Sequence, residues 1–428
     1  MFKRFIQKQL ETSVKRYFAA HPEVKLVAVA GSVGKTSTKT AIATVLSKKY
    51  RVRMLANNHN THMSAPLGIL GIEYPEENVH SIGAWLRVLM AARKRVKDPT
   101  DVDVIVQELG SDRIGEIAHF GTYLKPTIGV VTGVTPEHME FFGTIEAVAQ
   151  EELALANFSD LAIINRDDID GRFADFLTNQ NVDTYGTTAA AEFRIEVKDF
   201  DIAHGYQGWI VMSGFAETYP ADLRVIGEHS LRPICGAVAV AVKLGMGPHE
   251  IIEGVEDVTP VAGRMNLLPG MEHSILIDDT YNSSPASAQA ALQTLYNLQA
   301  PQRIAVLGDM NELGETSAHE HEALGHLCDP SLLAWVVTIG PEAEKYLAPA
   351  AKARGCQVHS FMSAIDAGAF VRSVIEEHAV VLVKGSQTGI YAEETVKLLL
   401  HSTADDHKLV RQSPMWIETK NAFFSKFS

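Results

Sequence analysis

The segment AVAGSVGKTS, residues 28–37, combines the residue types and the spacing of a phosphate-binding loop. Gly31 and Gly34 would let the backbone curl so that its N–H groups point at phosphate oxygens. Lys35 would place its charge on the β- and γ-phosphates, and Thr36 would offer a hydroxyl to Mg²⁺. The common motif has four residues between its first glycine and its Gly-Lys pair, whereas here only two intervene. We predict an ATP site formed by Gly31, Ser32, Val33, Gly34, Lys35, Thr36 and Ser37.

Two further side chains could complete a metal site beside this loop. Glu108 ends the apolar run DVIVQEL, a position from which a carboxylate can hold Mg²⁺ in phosphoryl-transferring α/β enzymes. Taken alone, a Glu at the end of a strand is also explained as a surface residue. His138 lies in the polar stretch TGVTPEHMEFF and could be a second metal ligand, although a single histidine is as often structural.

A polar stretch ahead of Glu108, NNHNTHMSAPLGILG at 57–71, contains the candidates for substrate binding. Beside a phosphate site, Asn58, Asn60 and Thr61 could bind a substrate carboxylate. As an isolated sequence, such a stretch is more often a solvated loop.

The run HEHEALGH at 319–326 resembles a zinc-protease motif only superficially. The motif H-E-x-x-H starting at His321 needs a second histidine at 325, where Gly325 stands. We therefore expect these histidines to lie on the surface of a helix.

Short β-branched runs alternate with helical patterns from about residue 24 onward. Continuous apolar runs separated by helices are typical of strands buried on both faces of a parallel sheet, so the predicted fold class is α/β. Residues 182–224 resemble a patch of short antiparallel strands. After a Gly- and Pro-containing stretch, five further strand-helix units predict a Rossmann-like, doubly wound domain. The expected divisions are an N-terminal helix at 1–22, a central phosphate-loop domain at 23–257 and a C-terminal domain at 258–428.

The chain has 428 residues, with 38 Lys and Arg against 52 Asp and Glu, a formal net charge of −14. This acidity argues against a general nucleic-acid-binding protein, which needs a basic surface to displace counterions from phosphates. The three cysteines form no C-x-x-C motif, so neither a disulfide framework nor a zinc cage is indicated. Because no signal peptide or membrane-spanning stretch is found, we expect a cytoplasmic protein with small-molecule substrates.

Two segments have the pattern of amphipathic helices. In residues 2–18 the apolar positions at helical spacing are Phe2, Ile6, Leu10, Val14 and Phe18. Packing on the central domain is the simpler interpretation, and weak attachment to an anionic membrane is the alternative. A basic helix predicted at 82–98 is most simply a solvated face over a core-facing stripe.

Several motifs occur in a fixed order between about residues 24 and 400. They are GSVGKTS, N-x-N-T-x-x-S-x-P-L at 58–67, the Glu108 strand, EHMEFFGTIEAVA, GEHSLRP at 227–233, GRM at 263–265, DDTYNSSP at 278–285, VLGDMNELGE at 306–315 and VKGS at 383–386. Together they resemble the Mur ligases, ATP-dependent enzymes that form amide bonds in peptidoglycan synthesis. DDTYN-x-x-P with LGDM-x-ELGE is typical of the MurF type, which adds D-alanyl-D-alanine to a UDP-linked muramoyl tripeptide.

The resemblance implies a two-step reaction in which ATP phosphorylates a carboxylate and an amine then attacks the acyl phosphate. Lys35 and Mg²⁺ would neutralise the transferring phosphoryl group, and Arg264 would reach the phosphates when the domains close. By the same resemblance, Lys35, Glu108, His138 and Arg264 would be catalytic; Thr36, Glu108, His138 and Glu152 would bind metal; Asp279, Tyr281, Asn282 and Arg264 would bind the nucleotide; and Lys384 and Ser386 would face the amine substrate.

One departure from the family pattern concerns a metal ligand. In many members a carbamylated lysine, on the helix after the His-containing loop, helps to bind the second metal. The corresponding residue here is Glu152, which brings its own negative charge but has a shorter side chain and would reach a metal only through water. The alternative is that Glu152 is one more exposed helical acid.

The other departure concerns the N-terminal domain with which MurF-type enzymes bind the UDP group. Only 30 residues precede Gly31 here, fewer than the roughly 40 below which a segment rarely folds alone. We therefore expect that domain to be absent. Two alternatives to a peptidoglycan ligase follow: a ligase acting on a different carboxylate, such as a cofactor or polymer, and a nucleotide-binding scaffold with reduced catalytic activity.

Overall fold

The computed structural model describes residues 2–55, 59–75, 79 and 81–427, and the chain forms two compact units. Unit 1 comprises Met1–Thr135, Phe141–Arg224 and Ser230–Thr259. Unit 2 comprises Pro136–Glu140, Val225–His229 and Pro260–Ser428. Two short segments from within the first 257 residues therefore belong to the unit that contains the C-terminal region.

Unit 1 is built on a nine-stranded sheet in the order β2-β3-β1-β4-β5-β6-β7-β8-β9. Its strands are β1 Lys25–Ala30, β2 Val52–Arg53, β3 Val104–Glu108, β4 Ile128–Val131, β5 Leu161–Asn165, β6 Val182–Gly186, β7 Phe193–Asp201, β8 Gly205–Met212 and β9 Tyr219–Leu223. The pairings from β2 to β7 are parallel, whereas β8 pairs antiparallel with both β7 and β9. Strands β1 and β3 have continuous apolar sequences because helices cover both of their faces, and these runs predicted the two strands.

The helices in the first 259 residues are α1 Phe2–Ala20, α2 Lys35–Leu46, α3 Ala65–Leu70, α4 Ile82–Lys97, α5 Glu116–Phe120, α6 Met139–Phe142, α7 Ile145–Asn157, α8 Leu231–Lys243 and α9 Pro248–Glu256. Helix α1 packs on α3 and α4 and buries Ile6, Leu10, Val14 and Tyr17. This agrees with the packing interpretation of the N-terminal pattern, although Phe2 remains 43% exposed. No helix among the described residues is both long and apolar enough to span a bilayer.

Unit 2 contains a six-stranded sheet in the order β10-β11-β15-β12-β13-β14. Its strands are β10 Asn266–Pro269, β11 Ile275–Asp279, β12 Arg303–Gly308, β13 Trp335–Ile339, β14 Val358–Phe361 and β15 Val380–Lys384. Its helices are α10 Pro285–Asn297, α11 Ser317–His326, α12 Ala348–Ala353, α13 Ala364–Val374, α14 Glu393–Leu399 and α15 Pro414–Phe424. All five predicted strands are present and mutually parallel; the sixth, β10, is a short antiparallel edge strand that the sequence pattern missed.

The histidines on α11 differ in burial. His319 and His326 are exposed, as predicted. His321 is completely buried, and its Nε2 accepts a hydrogen bond from the backbone N–H of Met310 at 2.9 Å. The expectation of a surface position is therefore wrong for His321, because the ring satisfies a buried donor in the turn after β12.

Candidate active site

The predicted phosphate loop connects the end of β1 to the first turn of α2. Gly31 and Gly34 have φ angles of 133° and 81°, which favour glycine because any side chain would be strained there. A Cβ on Gly31 would also lie 2.9 Å from the backbone nitrogens of Thr132 and Gly133. Both glycines are therefore required by the local backbone.

The loop is held by the segment that follows β4, the neighbour of β1 in the sheet. The N–H of Ser32 donates to the Gly133 carbonyl at 3.0 Å, and the Thr132 hydroxyl donates to the Val33 carbonyl at 2.6 Å. The N–H of Thr135 donates to the Ser32 hydroxyl at 2.7 Å. From the sequence, this polar stretch was predicted only to contain the candidate metal ligand His138, and its support of the loop was missed.

Lys35 and Thr36 occupy the first turn of α2, where a helix N-terminus favours anions. The Lys35 ammonium donates to the carbonyl of Gly31, so the side chain lies along its own loop. The Thr36 hydroxyl donates to Glu108 Oε2 at 3.0 Å. Because β1 and β3 are parallel and Val29 lies opposite Glu108, the ends of the two strands bring this pair together.

Glu108 is 2% exposed, so the interpretation of a surface residue is wrong. Its Oε1 accepts a hydrogen bond from the Asn60 side chain at 3.1 Å, and the Lys39 ammonium lies 3.5 Å from Oε2. Lys39, itself 3% exposed, was missed in the sequence, although it lies one helical turn after Thr36. Thus the structure joins Thr36, Asn60 and Glu108, and adds Lys39 to them.

The other substrate candidates in this stretch do not share that contact. Thr61 forms a turn with Ser64, whose hydroxyl accepts the Thr61 N–H at 3.1 Å just before α3. Asn58 lies outside the described residues.

The oxygen atoms that could ligate a metal around Glu108 fit a magnesium ion better than a metal that needs a cage of protein ligands. Among residues 2–55, 59–75, 79 and 81–427, no three His, Cys, Asp or Glu side chains group into a metal site. Mg²⁺ is commonly held by one or two carboxylates together with phosphate oxygens and water. The Thr36 hydroxyl and the Glu108 carboxylate, 3.0 Å apart at the first turn of α2, match that pattern.

Glu152, on α7, contacts the phosphate loop, and its predicted role as a metal ligand remains a prediction. It is 4% exposed, and its Oε2 accepts the N–H of Gly31 at 2.7 Å. The alternative of an exposed acid is therefore wrong. The adjacent Glu151 is also buried and accepts hydrogen bonds from Ser111, Gly115 and Ile117 in the segment after β3. Helix α7 thus stabilises two loops at this edge of the sheet.

We expect Glu152→Ala to weaken ATP binding about tenfold or more, because it leaves the buried Gly31 N–H without this acceptor. Titration calorimetry with ATP and Mg²⁺ would measure the effect. Glu146→Ala, an exposed change on the same helix, is the matched control. Equal nucleotide affinity in the two variants would contradict a role for Glu152 in holding the loop.

In unit 2, four predicted site residues lie together at the ends of β11 and β15. These strands are parallel neighbours with Asp279 opposite Lys384. The buried Lys384 ammonium donates to Asp279 Oδ2 at 2.6 Å and to the Asn282 carbonyl at 2.9 Å. The Ser386 hydroxyl donates to the carbonyl of Ser283, the residue after Asn282, at 3.4 Å and accepts the N–H of Asn311 at 2.8 Å. Residues predicted to bind nucleotide and amine substrate thus share one hydrogen-bonded cluster.

The GRM segment forms a turn against this cluster. Gly263 and Met265 both have positive φ angles, 68° and 51°. The Arg264 guanidinium lies 4.2 Å from the centroid of the Tyr281 ring, a cation–π contact, and the Met265 N–H donates to Asp279 Oδ1 at 3.1 Å. Arg264 and Tyr281, both predicted to serve the nucleotide, therefore contact each other.

A buried ionic group behind this segment was not found from the sequence. Arg411 donates to the carbonyls of Thr280 and Tyr281 at 2.6 and 3.0 Å, and to both oxygens of Glu393. Lys420 lies 3.4 Å from Glu393. These side chains stabilise the backbone that carries Tyr281 and Asn282. They lie far from any motif in the sequence, so the sequence gave no indication of this role.

Asp278, next to this cluster, is completely buried, and burial raises its pKa from 3.8 to about 6. The native state therefore binds this proton more tightly than the unfolded chain, and the free energy of unfolding falls as pH rises between 3.8 and about 6. We expect Asp278→Asn to lack this fall, which amounts to about 3 kcal/mol. Urea unfolding across that range would test it, with the exposed Asp175→Asn as control; parallel pH profiles for wild type and Asp278→Asn would contradict it.

His138 belongs to unit 2, whereas Thr36, Glu108 and Glu152 belong to unit 1. Its Nδ1 lies 2.6 Å from Glu312 Oε2, and this neighbour lowers the pKa of Glu312. Both residues have positive φ angles, 51° and 64°, which non-glycine residues adopt at a cost. Its predicted role as a metal ligand remains a prediction.

The sequence matches the Mur ligase middle domain over residues 29–241 and the Mur ligase glutamate ligase domain over residues 263–387. The chain belongs to the Mur ligase family, as the motifs predicted. It is 26% identical, over 323 residues, to the UDP-N-acetylmuramoyl-tripeptide–D-alanyl-D-alanine ligase of Bacillus subtilis; the match covers 74% of this chain and 63% of that protein. For the first three such relatives the chain spans only 63–64% of their length.

Solved structures of MurF show the same fold. The protein from Acinetobacter baumannii superposes with a TM-score of 0.74 at 20% identity, covering 92% of this chain and 80% of its own. The one from Thermotoga maritima, in complex with ADP, gives 0.72 at 22% identity, covering 93% and 83%. These similarities confirm the predicted fold class, a mostly parallel sheet followed by a second, Rossmann-like sheet.

Proposed function

We propose that the chain is an ATP- and Mg²⁺-dependent amide ligase that works through an acyl phosphate. The observation that carries the proposal is the glycine loop of residues 31–34 with Lys35 beside it and the Thr36–Glu108 pair at the same helix end. A curled backbone, an ammonium group and a buried carboxylate are what phosphoryl transfer from ATP requires. Family membership supports the same reaction type.

The proposed reaction has two steps. The substrate carboxylate attacks the γ-phosphorus of ATP, and the bond to the bridging oxygen breaks, giving ADP and an acyl phosphate. The amine then attacks the acyl carbon, inorganic phosphate leaves, and the amide nitrogen loses a proton. Positioning and charge stabilisation supply most of the catalysis in such transfers.

The residues of this chain have distinct tasks in the proposal. Lys35 would turn from the Gly31 carbonyl towards the terminal phosphates, and Thr36 and Glu108 would hold Mg²⁺. The ion, when bound, supplies positive charge that offsets the charge of the phosphate oxygens. In unit 2, Asp279, Asn282 and Lys384 would bind the nucleotide and the amine substrate. Glu152 would keep the loop in its curled form.

For the substrates, we propose a muramoyl-tripeptide carboxylate and the amine of D-alanyl-D-alanine, in the cytoplasm. The support is the named activity of the relatives and the MurF-type motifs. A different carboxylate, on a cofactor or a polymer, is the second candidate.

The deciding experiment is release of ADP and phosphate from the purified chain with ATP, Mg²⁺ and a panel of carboxylate and amine pairs, with mass spectrometry of the product. Release that needs both the muramoyl tripeptide and D-alanyl-D-alanine would support the first candidate. Release with another pair would support the second. ATP hydrolysis that ignores every acid and amine would contradict both and favour a nucleotide-binding scaffold.

A further inference from the structure

Positive charge is concentrated on two helices of unit 1. Helices α1 and α4 together carry ten Lys and Arg and only one acid, Glu11. The remainder of the chain has 28 Lys and Arg against 51 Asp and Glu. A net charge of +9 on 35 residues, in a chain with a net charge of −14, makes these helices a separate electrostatic surface.

Most of these basic side chains point into solvent. Arg95 is the exception, since it donates to Asp101 and to the Leu70 carbonyl. The exposed ones are Lys3, Arg4, Lys8, Lys15, Arg16, Arg87, Arg93, Lys94 and Lys97. The sequence predicted a basic, solvated face over a core-facing stripe for α4; the basic side chains are exposed as predicted, and Trp85, Val88 and Leu89 are buried on the core-facing side.

The same helices expose large apolar side chains. On α4, Ile82, Leu86 and Met90 follow each other at intervals of four residues and are 61%, 52% and 59% exposed. That spacing places them in one stripe on the outer side of the helix. On α1, Phe2 and Phe5 are 43% and 56% exposed at the N-terminal end. The three residues on α4 form a contiguous stripe rather than scattered single exposures, and contiguous exposed apolar surface marks an interaction site.

The surface is held in place by the interior of unit 1. On its inner side, α4 buries Trp85, Val88 and Leu89, and its first turn is capped by the Ser81 hydroxyl. Helix α1 packs on α4, and Tyr17, near its end, lies 3.3 Å from Thr100, just beyond the end of α4. The two helices therefore run with their C-terminal ends together.

We propose that α1 and α4 form a docking surface for an anionic lipid bilayer. The acidic headgroups of such a bilayer would attract the Lys and Arg side chains. The boundary between headgroups and acyl chains would accommodate the exposed apolar residues. Ile82, Leu86, Met90, Phe2 and Phe5 insert shallowly, while the long basic side chains reach the headgroups. Nucleic acid would meet the charge but not the apolar stripe.

This contact goes beyond the proposed ligase reaction, because none of the docking residues belongs to the phosphate loop or to the cluster in unit 2. It would hold the enzyme next to the membrane without a spanning helix. Attachment of this kind is reversible and weakens as salt screens the basic side chains. The strength of such binding scales with the apolar area that is buried and with the attraction of the basic side chains to anionic lipids.

The test is co-sedimentation of the full chain, without nucleotide, with vesicles of equal parts phosphatidylglycerol and phosphatidylcholine, against vesicles of phosphatidylcholine alone. We expect binding to the anionic vesicles only, and weaker binding in high salt. The variant Leu86→Glu with Met90→Glu should bind the anionic vesicles at least about tenfold more weakly than the wild type. Val197→Glu with Ile365→Glu is the matched control, since both positions are exposed apolar residues on other elements.

A second variant, Arg93→Glu with Lys97→Glu, separates charge from apolar insertion and should also lose binding about tenfold. Circular dichroism would establish that each variant is folded. Equal binding to both kinds of vesicle, no binding at all, or unchanged binding of both test variants would overturn the proposal. In the case of no binding, an acidic protein would become the better candidate for this surface.

Discussion

Lys35→Ala is expected to lower the rate of ATP-dependent amide formation by about a thousandfold. The Lys35 ammonium is the positive charge that this chain places next to the curled loop, and its contact with the Gly31 carbonyl keeps it at the loop. Charge stabilisation of a transferring phosphoryl group by a single cationic side chain is worth two to five orders of magnitude. Alanine removes that charge and leaves the glycine backbone in place.

The measurement is coupled release of ADP and phosphate with the substrate pair that the wild type uses. Lys25→Ala is the control, because Lys25 is an exposed lysine at the opposite end of β1. Thermal unfolding of both variants would show that the fold is kept. If Lys35→Ala retained the rate of the control variant, the loop would have no part in catalysis, and the ligase proposal would fall with it.

The features that sequence analysis predicted well are those encoded within one segment. Continuous apolar runs reveal the parallel strands, and the positions of Gly31 and Gly34 follow from the backbone that a phosphate loop needs. The Thr36–Glu108 contact could also be predicted, because both residues end up at the same edge of a parallel sheet. Local pattern and the geometry of parallel strands are sufficient for this much.

The features that were missed depend on which strands are neighbours. Thr132 and Thr135 support the phosphate loop only because β4 lies beside β1, and nothing in a single sequence fixes that order. The burial of Glu152 has the same origin, since α7 packs against β1 and β4. A glutamate on a helix has the pattern of a surface residue until its packing partner is known.

The predicted domain boundary was limited in another way, because the chain passes between the two units more than once. A single boundary near residue 258 cannot represent Pro136–Glu140 and Val225–His229, which leave the first unit and return to it. His138 lies in one of these segments and pairs with Glu312, a residue more than 170 positions away. The positive φ angles of both residues are likewise not encoded by their residue types.

Glu108→Gln is the second change expected to have a large effect, a loss of about a thousandfold in turnover at low Mg²⁺. The Glu108 carboxylate faces the Thr36 hydroxyl and is the charged oxygen donor that the magnesium proposal relies on. Glutamine keeps the size and one acceptor but removes the charge. Turnover measured across a Mg²⁺ titration should show that the variant needs far more Mg²⁺ than the wild type. A substitution of the neighbouring Gln107 is not a suitable control, because Gln107 is itself buried.

The same substitution has a structural consequence that must be separated from the catalytic one. Lys39 and Glu108 are both buried, 3.5 Å apart, and removing one member of such a pair destabilises a protein by about 3–5 kcal/mol. Replacing both, as in Lys39→Met with Glu108→Gln, takes away the unpaired buried charge and should recover most of the lost stability. Urea unfolding of the single and double variants would measure this recovery.

Activity and stability should therefore diverge in the double variant. If Glu108 holds Mg²⁺, Lys39→Met with Glu108→Gln regains stability but not turnover, because no carboxylate has been restored next to Thr36. If Glu108 serves only to neutralise Lys39, turnover returns together with stability, and the magnesium assignment is wrong. Lys39→Met alone completes the cycle, since it keeps the carboxylate while removing its buried cationic partner.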